Sequence, residues 1–144
     1  MKLIHLSGDL FTSDAPALAH GVNIDGFMAS GIAPIFRAKF PGMYDSYREA
    51  CHSNRLLAGG VFIWPGTPIV YNLASQDRPG PNARIGWLEQ AMTLALVDAD
   101  VNGFDRIAIP RIGCGIGGLD WDDVEPLLER VASQFTCDIE AWTL

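Results

Sequence analysis

The sequence is poor in positive charge, in cysteine and in long apolar stretches. Only 10 of its 144 residues are Lys or Arg, against 17 Asp and Glu, giving a formal net charge of −7. So acidic a chain repels a phosphate backbone at long range, and an extensive nucleic-acid footprint is not expected. A small anionic ligand remains compatible with it if the site uses oriented backbone N–H groups. No apolar run approaches the ~20 residues needed to cross a bilayer. The opening Met1-Lys2-Leu3-Ile4-His5 lacks the apolar stretch of a signal peptide. A cytoplasmic protein with no membrane partner is therefore expected. The three cysteines, Cys51, Cys114 and Cys137, are odd in number and match no metal-ligand spacing. They read as reduced thiols, with no metal site and no cofactor.

What is present is a globular composition, 49% hydrophobic and 19% charged. No repeat, charge block or low-complexity linker divides it, so residues 1–144 read as one domain and a monomer. Lys2 to Leu6 alternates as a strand, and Ala15 to Val22 reads as a second. Ile32, Ile35, Phe36 and Phe40 recur at helical spacing until Pro41-Gly42, and Met43, Tyr44, Tyr47 and Cys51 suggest another helix. Gly60–Trp64 and Ile69–Leu73 form an expected hairpin. Asn82 is an expected N-cap for the stripe Ile85, Leu88, Met92, Ala95, Leu96 and Ala99. Arg106–Ile109 reads as a strand, and Asp120 opens a last helix with Val124, Leu127, Leu128, Val131 and Phe135 on its buried face. Ile139–Trp142 closes the chain as a strand. Strands alternating with helices indicate a layered α/β domain with a partly parallel sheet.

The richest segment runs Pro110-Arg111-Ile112-Gly113-Cys114-Gly115-Ile116-Gly117-Gly118-Leu119-Asp120-Trp121, between a strand and a helix. Four glycines in six residues let the backbone approach a ligand closely and adopt positive φ. Several N–H groups can then face one concavity, which suits a pyrophosphate. Gly113, Gly115 and Gly118 satisfy G-x-G-x-x-G, but a dinucleotide fold opens with that motif, and here only one strand follows it. No G-K-[ST] follows either, which excludes a triphosphate P-loop. Gly26-Phe27-Met28-Ala29-Ser30-Gly31-Ile32-Ala33 is a second glycine-bearing junction into a helix, able to grip the other side of a diphosphate. Asn23 can aim its amide at a hydroxyl or cap a turn. Cys114 is either a functional thiol or a small residue packed under the loop.

Gly8-Asp9-Leu10-Phe11, Ala19-His20-Gly21-Val22-Asn23, Gly31-Ile32-Ala33 and Pro110-Arg111-Ile112-Gly113-Cys114-Gly115 stand in the order seen in the macrodomain family, which the chain resembles from Ile4 to Leu144. It resembles the branch that holds the terminal ADP-ribose–glutamate hydrolases and, through Gly117-Gly118-Leu119-Asp120-Trp121, the antitoxins that remove ADP-ribose from DNA. The resemblance implies a three-layer α/β/α fold around a mixed, partly parallel sheet. It implies that the ligand is ADP-ribose, or an ADP-ribosylated protein or nucleic acid. Asp9 would accept the adenine amino group beside the Leu10 amide, and Asn23 would face the distal ribose. Ser30, Gly31 and Ile32 would line the diphosphate, with Ile112, Gly113, Cys114, Gly115, Ile116, Gly117 and Gly118 closing from the other side.

The chain departs from that branch at two places. Gln76 stands where the hydrolases carry a lysine, and Gly117 where the glutamate hydrolases carry an aspartate. Gln forms no Schiff base and is no general base. Three readings follow. One is de-ADP-ribosylation in which Asn23, Gln76 and the ligand's own phosphates position a water. Another is binding of ADP-ribose or a related signalling nucleotide without turnover. The third is a phosphatase or deacylase acting on ADP-ribose derivatives. Asp77, the nearest acid, reads as a solvated loop carboxylate.

Overall fold

A computed structural model describes residues 2–144. Six strands, β1 (Leu3–Ser7), β2 (Ala17–Val22), β3 (Val61–Trp64), β4 (Ile69–Ala74), β5 (Arg106–Ile109) and β6 (Asp138–Thr143), form one sheet in the order β1-β6-β5-β2-β4-β3. Every neighbouring pair is parallel except β3 with β4, which is the expected hairpin. Strand alternation sorts side chains to two faces. Ala17, Ala19, Tyr71, Leu73, Ile107 and Ile109 pack with the helices α3 (Ile85–Val101) and α4 (Trp121–Ala132). Leu18, Val22, Val70, Ala74 and Ala108 pack with α1 (Ala33–Lys39) and α2 (Pro41–His52). The result is the expected three-layer α/β/α arrangement. No helix among the described residues is long and apolar enough to cross a membrane.

Local chemistry moved several boundaries. Pro41-Gly42 does mark the break between two helices, α1 ending at Lys39, but Pro41 itself occupies the first turn of α2, where its missing N–H costs nothing. Asn82 does not cap α3. The helix starts at Ile85 behind Arg84, and the Asn82 amide donates to the Pro79 carbonyl at 2.8 Å. Ile85 heads its stripe but is 38% exposed, while Leu88, Met92, Ala95, Leu96 and Ala99 are fully buried. Asp120 does cap α4, accepting from the Asp122 N–H at 2.9 Å. Phe135 packs on the same core from beyond the end of that helix.

One polar pair is sealed in the α1–α2 side. His20 Nε2 lies 2.7 Å from Asn72 Oδ1, and the Asn72 amide nitrogen donates to the Phe62 carbonyl at 3.1 Å. Asn72 therefore accepts from His20, whose Nδ1 is left buried without a partner. The imidazole stacks on Phe36, with centroids 3.8 Å apart. A proton on that ring would be unsolvated, and burial lowers the His20 pKa to about 4 despite the Asn72 bond. The unfolded chain protonates first, so the stability this group supports is complete above pH ~6.5 and is lost as pH falls toward about 4. The linked loss is roughly 3 kcal/mol. Urea denaturation at pH 7.5 and 4.5 should show a larger drop for the parent than for His20→Gln, which keeps the bond to Asn72 and cannot titrate. Equal drops in the two proteins would remove His20 from the account.

Candidate functional site

Because β1, β2, β4, β5 and β6 run parallel, their C-terminal ends share one edge of the sheet, where α/β folds place their ligands. A cleft with two compartments lies there. One, of about 230 Å³, is lined by the loops after β2, β4 and β5. The other, of about 530 Å³, is mainly apolar and lies against Asp9, Leu10, Phe11, Ile35 and the terminal Trp142-Thr143-Leu144. Gly31, Ile32, Pro110 and Arg111 border both.

The loop after β2 is built on Asn23, which is buried. Its Oδ1 accepts from the N–H groups of Asp25, Gly26 and Phe27 at 3.0, 3.2 and 3.3 Å, and its Nδ2 donates to the Phe27 carbonyl at 2.9 Å. The Tyr47 hydroxyl, also buried, donates to the Asn23 carbonyl at 2.6 Å from α2. The Asn23 carboxamide thus holds the loop, and one Nδ2 proton is left for the cleft it borders. Downstream, the N–H groups of Ala29, Ser30, Gly31 and Ile32 find no backbone acceptor among the described residues. Gly31 adopts φ +65°, the left-handed region.

The loop after β5 is tied by Cys114 N–H to the Arg111 carbonyl at 3.2 Å, Gly118 N–H to Gly115 at 3.3 Å and Leu119 N–H to Gly113 at 2.8 Å. The N–H groups of Gly113, Gly115, Ile116 and Gly117, all lining the cleft, have no backbone acceptor among the described residues. Unpaired amides on both walls make an anion-binding concavity. The walls come close: a Cβ on Gly31 would lie 4.0 Å from Ile116 Cγ1. Arg111, its guanidinium 4.9 Å over the Trp121 ring, is the cation that lines the cleft.

Gly117 has no room for a side chain. A Cβ there would meet the Gly113 carbonyl at 2.7 Å and Ala83 Cβ at 2.9 Å. Cys114 and Gly118 do not line the cleft; they border the outer face of the loop with Leu119, Asp120 and Trp121. Burial holds the Cys114 thiol above its usual range, outweighing the nearby Arg111, which favours the packed small residue over a nucleophile. Gln76 borders the cleft, but its Nε2 is committed to the Arg78 carbonyl at 2.8 Å. Asp9 is exposed, and its Oδ1 accepts from the Phe11 N–H at 3.0 Å to cap a short turn, leaving Oδ2 free. Ile112 is buried in the floor, and Ser30 is exposed at the rim.

Sequence reading missed Gly21, Phe27, Ser75 and Arg111 as lining residues of the glycine-loop compartment, and Ile35 and Trp142 in the apolar one. Ser75 carries the one available signal, a polar residue directly after the apolar strand β4.

The Macro domain family profile matches residues 19–128. A DNA ADP-ribosyl glycohydrolase of Mycobacterium tuberculosis is 31% identical over 135 residues, which cover 90% of this chain and 37% of that protein. The chain thus spans little more than a third of that relative's length. An ADP-ribose 1''-phosphate phosphatase of Candida albicans is 33% identical over 142 residues, covering 88% of this chain and 91% of that protein. The solved macrodomain of Mycobacterium tuberculosis DarG superposes with a TM-score of 0.88 at 26% identity, covering 99% of this chain and 97% of that one.

The crowding at Gly117 gives a direct test. Gly117→Ala forces the Gly113 carbonyl or Ala83 to move, so stability should fall by about 1–3 kcal/mol, the usual cost of overpacking. The displaced amides should also bind a diphosphate such as ADP about tenfold more weakly, which is about 1.4 kcal/mol. Thermal denaturation and calorimetry read the two effects. Unchanged ADP affinity in the variant would mean that these amides are not the anion site.

Proposed function

Because the chain belongs to the macrodomain family, we propose that it binds ADP-ribose, or a ligand carrying that group, and removes ADP-ribose from a modified macromolecule without a catalytic lysine. Adenine occupies the apolar compartment, with Asp9 Oδ2 accepting its amino group and the Leu10 N–H beside it. The diphosphate lies between Ser30-Gly31-Ile32 and the unpaired amides of Gly113, Gly115, Ile116 and Gly117, seated over Ile112. The distal ribose extends toward Asn23 and Gln76. The observation that carries this reading is the set of unpaired N–H groups on two facing glycine loops beside an apolar pocket. A cytoplasmic monomer is part of the same reading.

The compartment at the distal end is lined by no Asp, Glu, His, Lys or Tyr. No side chain there can form a Schiff base or act as a general base at neutral pH. Bond cleavage then rests on position and electrostatics. The ligand's phosphate accepts the proton of a bound water, Asn23 and Gln76 offer hydrogen bonds, and the loop amides with Arg111 hold the negative charge in place. A second reading, hydrolysis of ADP-ribose 1''-phosphate, is favoured by the Candida albicans relative, which matches over nearly its full length. It uses the same cleft and the same absence of a protein base.

Binding is tested by calorimetry. ADP-ribose should bind far more tightly than AMP, which lacks the second phosphate and the distal ribose; equal affinities would reject the assignment. Asp9→Asn keeps an oxygen to cap the Phe11 N–H but turns the acceptor that faces adenine into a donor. Stability should hold while ADP-ribose affinity falls about ten- to hundredfold, matching ~1.5–3 kcal/mol for a hydrogen bond to a charged group.

Turnover is tested by incubating the protein with ADP-ribosylated protein, ADP-ribosylated DNA and ADP-ribose 1''-phosphate and measuring released products. Product should appear from at least one of them, and borohydride should trap no covalent adduct. A trapped adduct would place a lysine such as Lys39 in the site. Absence of product from all three, with ADP-ribose bound, would make the protein a reader.

A further inference from the structure

Glu140, in β6, is the one acidic side chain buried among the described residues, at 5% exposure. Its carboxylate is held by donors from three places in the chain. Oε1 accepts from Ser13 Oγ at 2.7 Å and from Trp142 Nε1 at 3.1 Å, and Oε2 accepts from Arg106 Nη1 at 2.8 Å. The first two donors lead to two walls of the apolar compartment. Ser13 closes the short turn that carries Asp9 and Leu10, its N–H donating to the Leu10 carbonyl at 3.1 Å. Arg106 Nη1 also donates to Asp14 Oδ1 at 2.8 Å, holding the next residue of that segment. Trp142, two residues beyond Glu140 on the same face of β6, lines the compartment itself. A Cβ on Gly8 would stand 3.6 Å from its Cζ3. With Nε1 tied to the carboxylate and Cζ3 close to Gly8, the indole cannot turn over without giving up a charged acceptor. A buried ion pair is a weak source of stability, because desolvation offsets most of the attraction. A charged acceptor shared by a hydroxyl and an indole N–H does what an apolar residue could not: it fixes the direction of both groups.

We propose that Glu140 is a positioning residue for base recognition: one carboxylate oxygen sets the Asp9–Leu10 turn against the Trp142 ring, so that the compartment takes a purine in preference to a pyrimidine. The inference rests on the placement of adenine given above. Glu140 does not line the compartment and acts through Ser13 and Trp142. A two-ring base fills the space between turn and indole, and a one-ring base leaves part of it empty and gives up apolar contact. Glutamine at position 140 breaks the arrangement without changing its size, because a carboxamide has one acceptor oxygen where the carboxylate has two. With that oxygen turned to Arg106, the Trp142 N–H, a donor only, faces another donor. With it turned to Trp142, the guanidinium does.

Calorimetry on the whole protein with ADP-ribose, ADP and CDP decides it, since ADP and CDP carry the same diphosphate and differ in the base. The parent should prefer ADP. Glu140→Gln should weaken ADP-ribose and ADP about tenfold, the scale of one lost hydrogen bond to a charged group, and CDP much less. Trp142→Phe keeps a ring and leaves the Glu140–Arg106 pair in place, and it should lose the same preference. The double variant should lose no more than either single one, because both cut one linkage. The indole N–H resonance that disappears in Trp142→Phe should shift in Glu140→Gln, and in the parent on adding ADP. A Glu140→Gln protein that is less stable yet keeps the preference for ADP overturns the proposal, and so do additive losses in the double variant. If Glu140→Gln does not fold, an unchanged preference in Trp142→Phe overturns it equally. These outcomes leave the binding of ADP-ribose standing. A parent that binds ADP-ribose but takes ADP and CDP alike removes adenine from the compartment, and one that binds no ADP-ribose overturns the binding reading; the assignment falls with either.

Discussion

Backbone N–H groups that are prevented from pairing within their own loops are what the cleft depends on. A loop amide normally finds an acceptor close by, because a buried one left alone is costly. Here the competition is settled by assignment. Asn23 Oδ1 takes the N–H groups of Asp25, Gly26 and Phe27, which fixes the first loop and leaves the amides that follow without local acceptors. In the second loop, Arg111, Gly113 and Gly115 offer their carbonyls to Cys114, Leu119 and Gly118, and the intervening amides are spared. Tyr47, anchored in α2, holds Asn23 from beneath. Through it the helix layer sets the shape of a site made of main chain.

That division of labour explains what could be read from the sequence and what could not. The layered fold was legible because β5 is an apolar run ended by Pro110 and the buried stripes of α3 and α4 recur at helical spacing, and the glycine run after β5 announced an anion loop. The N-cap at Asn82 was misread because a free Asn before a helical stripe looks like a cap, while here the residue serves the Pro79 turn. Pro41-Gly42 was rightly read as the break between two helices, but the second helix begins at Pro41 rather than Met43 because proline fits a first turn. The direction of Cys114 and Gly118, toward the outer face of the loop, depends on turn geometry that a run of glycines does not encode. Ser75 and Gly21 lie far apart in the chain and meet only because β2 and β4 are paired in register, Gly21 opposite Leu73.

The two departures from the lysine-bearing branch are linked by packing as well as by chemistry. An aspartate at position 117 would need space that the Gly113 carbonyl and Ala83 already fill. Ala83 reaches that point because its strand segment bridges to Gln76 and its N–H donates to the Gly117 carbonyl at 3.2 Å. The segment carrying Gln76 and the segment carrying Gly117 therefore form one packed unit. Placing an acid at position 117 therefore requires moving Ala83 and, through its bridge, the segment that carries Gln76.

The absence of a side chain at Gly31, where one would lie 4.0 Å from Ile116 across the cleft, has a kinetic meaning. The two compartments meet at a waist bordered by Gly31, Ile32, Pro110 and Arg111. The walls at that waist are loop segments tied by a few hydrogen bonds around buried Met28 and Ile112, so the exposed tips can part without opening the core. Glycine at position 31 keeps that waist passable, and a side chain there narrows the route between the compartments, slowing exchange of anything that occupies both.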